Sequence, residues 1–204
     1  MEFKLHSHRF GEAIASEKEF SKEWAELQDA ITSVTDEEII QFHQAKSPKS
    51  KSISKALNLL LERNLKQDGW IAESPIFNDP DYKAGRWRLD FAKEAEGGGI
   101  SVEVAFNHGE AIAWNLLKPV LASELNHVEK KAQTRLGVVV MATEDLRDAG
   151  GFDSAVGTFE KAIRYLKPLQ NQLTVPMILV GLEAPKSFYV QHEGNPKRAV
   201  FRRR

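Results

Sequence analysis

The 204-residue chain contains no cysteine, which excludes disulfide staples, thiolate metal centres and cysteine nucleophiles. Nor does it contain an apolar run approaching the length of a membrane span, and its first residues do not resemble a signal peptide. The expectation is a cytoplasmic protein with no membrane partner. An excess of either charge is missing too: 28 Lys and Arg stand against 29 Asp and Glu, for a formal net charge of −1. A nearly neutral chain is not a generic nucleic-acid coat, although carboxylates at an active site can offset a basic cleft. There is no internal repeat, zinc-ligand spacing, nucleophile elbow or Walker loop, and Gly97-Gly98-Gly99 precedes a strand pattern, which makes a poor phosphate cradle. What remains is globular in composition, 42 % hydrophobic and 28 % charged, and long enough for one domain with a substantial core. We read residues 1–204 as that single domain, with a basic, mobile tail from about residue 195.

Residues 86–106 carry the strongest local pattern. Arg86-Trp87-Arg88-Leu89-Asp90-Phe91 and Ile100-Ser101-Val102-Glu103-Val104-Ala105-Phe106 both alternate with a period of two, as half-buried strands do. A polar, Gly-rich turn joins them. The alternation predicts Trp87, Leu89 and Phe91 on one face, and Ile100, Val102, Val104 and Phe106 lining one side of the second strand. Paired as a hairpin, the strands bring Asp90 and Glu103 side by side. Two carboxylates on rigid strands suit a hard cation such as Mg²⁺. Two solvated acids on an edge hairpin give the same pattern.

An Asp, a gap and a Glu within an apolar strand resemble the PD-(D/E)XK nuclease signature. Leu89-Asp90-Phe91, Val102-Glu103-Val104-Ala105-Phe106, Ser123-Glu124-Leu125 and Val175-Pro176-Met177-Ile178-Leu179-Val180-Gly181-Leu182 resemble, in that order, the BglII/BstYI family of type II restriction endonucleases. So do His6-Ser7-His8-Arg9-Phe10-Gly11 and Trp24-Ala25-Glu26-Leu27-Gln28, so the resemblance runs from residue 1 to about 185. It implies a BamHI-like endonuclease core, a homodimer, and Mg²⁺-dependent cleavage of double-stranded DNA at a short palindrome, for which a GATC core is the family's example. Carried over by motif, Asp90 and Glu103 are metal ligands, completed by the backbone carbonyl of Val104, and Glu73 falls where the family places a further acidic or amide residue. The third motif position departs from the family: it is Ala105, which can neither orient a water nor accept its proton. Metal-bound water alone, a neighbour such as His108 or Glu110, or loss of catalysis are the alternatives. Asn107 and His108 follow the catalytic strand where the family places recognition residues, and Asn can bond adenine bidentately. Asn107 is equally readable as a strand-end turn residue.

The rest of the chain reads as helices and buried strands. Phe20, Trp24, Leu27 and Ile31 form a helical stripe, Thr35 precedes an acidic first turn, and Leu57, Leu60 and Leu61 point inward from an amphipathic helix. Residues 46–55 hold four lysines and four serines around Pro48. They form either a solvated loop or a DNA-backbone segment in which Lys46, Lys49 and Lys51 meet phosphates. Residues 111–126 keep helical apolar spacing, with Pro119 expected to kink or break the helix. The resemblance places this helix against a partner subunit, and burial in the chain's own core explains it equally well. Residues 135–143 and 175–182 are nearly continuous apolar strands, as in a sheet covered on both faces. Between them lies a loop with Asp153 or Ser154 suited to cap the next helix, and Ser154 placed as a second base-reading candidate. His6 and His8 share a strand face, but no third ligand is apparent.

The expected architecture is α/β, a mixed central sheet flanked by helices with a restriction-endonuclease-like core. The expected function is Mg²⁺-dependent site-specific DNA cleavage. A repair-type nuclease of the same superfamily and a non-catalytic DNA-binding relative are the other classes.

Overall fold

The computed structural model describes residues 1–82, 87–124, 129–131 and 133–204. Its centre is a six-stranded mixed sheet in the order β1-β6-β5-β4-β3-β2, where β1 is Phe3–His8, β2 Ile71–Pro75, β3 Arg88–Lys93, β4 Gly99–Ala105, β5 Thr134–Ala142 and β6 Met177–Leu182. The middle strands β4, β5 and β6 are parallel. The flanking pairs β3–β4, β2–β3 and β1–β6 are antiparallel. The apolar runs of β5 and β6 follow from this placement. Val138, Val140, Ile178 and Val180 face one core cluster, and Val139, Met141, Met177 and Leu179 face the other.

Helices cover both faces. One cluster packs α2 (Ser21–Thr32), α3 (Asp36–Lys46) and α4 (Ser54–Gln67) over the sheet, with the stripe Phe20, Trp24, Leu27 and Ile31 buried as its spacing requires. Burying side chains such as Leu57 and Leu60 stabilises the fold by about 1.5–3 kcal/mol each. A capping box starts α3: Thr35 Oγ1 accepts the Glu38 N–H while the Glu38 carboxylate accepts the Thr35 N–H. The opposite face is covered by α5 (Ile112–Ser123) and α7 (Phe159–Leu166). Two short helices, α1 (Gly11–Ala15) and α6 (Glu144–Ala149), complete the set of described helices.

Five expectations are corrected. The acidic hairpin is not an edge: β2, unforeseen as a strand, flanks β3. The faces of β3 do not alternate throughout, because Leu89 shares a cluster with Ala92 while Phe91 joins the opposite one. The irregularity falls at Asp90, where the β3–β4 ladder ends. Pro119 does not break α5, which continues to Ser123. Close packing leaves it there: a Cβ on Gly137 of β5 would lie 2.6 Å from Pro119 Cβ, so glycine lets the helix settle onto the sheet. The helix after the 150–157 loop is capped not by Asp153 or Ser154 but by Thr158, whose Oγ1 accepts the Lys161 N–H. Finally, the basic tail is built into a strand pair: β7 (Phe188–Glu193) and β8 (Arg198–Arg203) form an antiparallel hairpin. Phe188 and Val190 of β7 are buried in the main core, and Phe201 of β8 packs against it. Arg86, Leu125 and Asn126, part of the expected hairpin and helix, lie outside the described residues.

Candidate active site

The β3–β4 register pairs Phe91 with Val102, and continuing it by one position sets Asp90 opposite Glu103. There the strands part. The Val104 N–H, with no ladder acceptor on β3, donates instead to Asp90 Oδ2 at 2.6 Å. A strand residue directs its N–H and C=O to the same flank, so the Val104 carbonyl belongs to the side on which Asp90 stands. Asp90 and Val104 line a cleft of about 210 Å³ together with Glu73, Ala72, Phe91, and Asn58 and Glu62 of α4. Glu73 is exposed and takes a left-handed backbone, φ 50°, uncommon for a residue with a side chain. Its carbonyl accepts a bond from Arg88 Nη1 at 3.1 Å.

Glu103 reaches towards α5 and is 1 % exposed. Its Oε2 accepts a hydrogen bond from Lys118 Nζ at 2.5 Å. Its Oε1 is buried with no hydrogen-bond partner among the described residues, an arrangement that is costly unless something further occupies it. Burial pushes the Glu103 carboxyl up to about 8, with the neighbouring Asp90 carboxylate adding to the rise, and Lys118 and then the Asp90 backbone N–H opposing it. The Asp90 carboxyl is raised as well, by burial first, against the Val104 hydrogen bond and Lys118.

Both raised carboxyls and the orphaned oxygen fit a divalent cation, which would supply the missing positive charge. Among the described residues no cluster of three or more His, Cys, Asp or Glu could hold an ion, so His6 and His8 gain no third ligand. A two-carboxylate site suits Mg²⁺, which is commonly held by one or two carboxylates and retains several waters.

Ala105 does not border open space beside the carboxylates. It is 2 % exposed and packs in an apolar cluster with Ile112, Leu116 and Val120 of α5. The two substitutes considered from sequence, His108 and Glu110, are exposed and are not among the groups acting on either carboxyl. Sequence reasoning missed Lys118. Its signal was available: it is the one charged residue between Ile112 and Ser123 of an otherwise apolar helix.

The nucleic-acid candidates come together at one end of the sheet. Asn107 and His108 leave β4 and join the loop that carries Ser154: the Gly109 N–H donates to the Ala155 carbonyl at 2.8 Å, and the Gly157 N–H to the Asn107 carbonyl at 2.9 Å. Asp153 Oδ1 accepts the Ala155 N–H at 2.8 Å, folding that loop tightly around an exposed Ser154. Asn115 Nδ2 of α5 fixes the Asn107 side chain through its Oδ1 at 2.9 Å. Lys46, Lys49 and Lys51 are exposed. Their loop is tied to the same region by the Ile53 N–H donating to Gly150 O, and His192 Nε2 of β7 lies 2.8 Å from the Lys51 carbonyl oxygen. Among the described residues no helix is long and apolar enough to cross a membrane.

Comparison with known proteins agrees with this architecture. A crystal structure of the restriction endonuclease BglII complexed with a DNA 16-mer superposes with a TM-score of 0.68 at 14 % identity, covering 99 % of this chain and 100 % of that one. A structure of free BglII gives a TM-score of 0.53 at 12 % identity over 98 % of this chain and 91 % of that one. At these identities the likeness speaks to the fold. No curated protein sequence matches the chain. The sequence pattern of the family described as restriction endonuclease BglII/BglIII, however, matches residues 3–182, nearly the whole sheet and its helices, and the chain therefore belongs to that family.

Proposed function

We propose that this protein is a Mg²⁺-dependent type II restriction endonuclease of the PD-(D/E)XK, BamHI-like kind, its residues 1–204 acting as one endonuclease domain. It works in the cytoplasm as a homodimer that cuts both strands of duplex DNA at a short palindrome, for which a GATC core is the family's guide. The observation that carries the reading is the pair Asp90–Glu103 at the parting of β3 and β4, with Glu103 Oε1 buried and unpartnered. Family membership and the likeness to a BglII–DNA complex support the choice of duplex DNA as substrate.

Hydrolysis forms a bond from water oxygen to phosphorus, breaks the bond from phosphorus to the 3′ oxygen, and leaves a proton on that oxygen. Mg²⁺, held by Asp90, Glu103 and the Val104 carbonyl, would supply Lewis acidity and lower the pKa of a coordinated water. Asp90, fixed by the Val104 N–H, stands at the cleft wall. Glu73 borders the same cleft, where its carboxylate adds a further outer ligand or water acceptor. Lys46, Lys49 and Lys51 contact backbone phosphates, and Asn107, His108 and Ser154 present donors and acceptors to base edges.

The test is to incubate the purified protein with unmethylated phage DNA and Mg²⁺ and sequence the ends. Discrete fragments sharing a palindrome are expected. Structure-dependent nicking would move the assignment to a repair-type nuclease, and intact DNA in both Mg²⁺ and Mn²⁺ would leave a binding protein. Sedimentation that finds only monomer, free and DNA-bound, would overturn the dimer.

A further inference from the structure

We propose that Lys118 is the positioning residue of this site, supplying from α5 a polar group where position 105 offers only a methyl. The inference rests on the nuclease reading above. β4 offers no positive group of its own, because Ala105 is sealed into the apolar cluster beneath α5. Among the described residues, Lys118 is the one cation acting on both Asp90 and Glu103. Its side chain is only 12 % exposed and is committed to one oxygen, Glu103 Oε2, at 2.5 Å.

This commitment divides the work of the carboxylate. Oε2 is held by the ammonium, so the rotamer of Glu103 is set and Oε1 is left without a donor. A carboxylate so anchored presents a single oxygen to an incoming cation in a fixed direction, which is what a metal ligand must do to be selective in geometry. The ammonium also offsets one negative charge at a place where two carboxylates would meet a phosphodiester.

The helix is placed for this task by its packing. Pro119, the next residue, rests against Gly137, whose missing Cβ lets α5 approach β5 closely. Ile112 and Leu116, on the turns before, close over Ala105. A small residue at 105 and a lysine at 118 are thus two parts of one arrangement: the helix lies where a longer side chain from β4 would have pointed.

A lysine that merely neutralised a buried acid would give the same contact, so the test must separate the two roles. Lys118→Met keeps the unbranched apolar stem and loses the charge and the donor. It is compared with wild type and Glu103→Gln in two measurements: Mn²⁺ binding by calorimetry without DNA, and cleavage kinetics with Mg²⁺. If Lys118 positions Glu103, Lys118→Met binds Mn²⁺ at least threefold more weakly. Its kcat falls about a hundredfold, the scale of losing one oriented donor, with KM within threefold of wild type. Lys118→Arg, which restores a charged donor, recovers at least a tenth of the rate. If the lysine is only a counter-ion that competes with the metal, Lys118→Met binds Mn²⁺ equally well or more tightly, and the proposal fails. It also fails if Lys118→Met cuts at the wild-type rate. Should Lys118→Met not fold, Lys118→Ala, which also removes donor and charge, takes its place, and the same Mn²⁺ and kcat criteria decide. Wild-type protein that binds Mn²⁺ but cuts no DNA would overturn the nuclease reading alone, and the Mn²⁺ comparison would still judge Lys118.

Discussion

Asp90 Oδ2 accepts the backbone N–H of Val104 at 2.6 Å, a bond made across the point where β3 and β4 separate. The carboxylate therefore does two things: it satisfies a strand amide that has no ladder partner, and it stands at the cleft with Glu103 behind it. These roles can be separated by substitution. Asp90→Asn keeps an oxygen for the Val104 N–H and removes the charge. We expect its fold and DNA affinity to survive while cleavage drops by about a hundredfold or more. Glu103→Gln should behave alike. Cleavage assays and gel-shift titrations in Ca²⁺ check both, and near wild-type cutting by either variant would remove the site assignment.

The Glu103 carboxyl, raised to about 8 from an ordinary 4.5 in the absence of metal, makes a prediction about stability and pH. In that window the folded state binds more protons than the unfolded state. Stability from this group is thus fully present below about pH 4.5 and is lost as pH rises towards 8. Thermal melts in EDTA should show a falling Tm across this range. Glu103→Gln should flatten the slope, and Mg²⁺ should raise Tm most at the alkaline end. A metal-free Tm that is level across the window in wild type would contradict the burial of this carboxyl.

The lysine loop predicts a salt effect. With Lys49 and Lys51 replaced by Ala, affinity should fall for all DNA sequences alike. The slope of log affinity against log salt should shrink by roughly one for each phosphate that the loop no longer neutralises. Titrations at several salt concentrations measure this, and an unchanged slope would mean the loop is only solvated.

Ala105 gives a prediction about stability. Introducing Lys there does not restore a catalytic group, because the position lies inside the cluster of Ile112, Leu116 and Val120. Ala105→Lys should instead destabilise the fold through overpacking and a buried charge, by about 2 kcal/mol or more. Urea unfolding reads the loss. A stable and faster enzyme would show that the cluster opens.

How much of this was visible beforehand depended on whether a signal was local. The period-two spacing around Asp90 and Glu103 and the apolar runs of β5 and β6 are properties of neighbouring residues, so the hairpin and the buried strands were legible. So was Thr35, because a capping box spans only four residues. The face of Phe91 was misjudged because strict alternation does not survive the irregularity at Asp90. Lys118 was hidden for another reason. Its partner lies on a strand beneath the helix, and a segment read for its apolar stripe discounts its single charge. The β7–β8 hairpin was obscured by composition: a concentration of arginine drew attention away from Phe188 and Val190, which alternate with Tyr189 and Gln191 and enter the core.

On the proposed reading of Asn107, His108 and Ser154 as base contacts, the two hydrogen bonds that join the 107–109 turn to the 155–157 loop bear on how a new sequence preference could arise. Loops so stitched do not sample conformations separately, so substitutions in one alter the context in which the other acts. Their energetic effects should be non-additive, as for any groups in direct contact. A library that varies residues around Asn107 alone would explore mostly broken sites. One that varies both segments together would let compensating pairs appear.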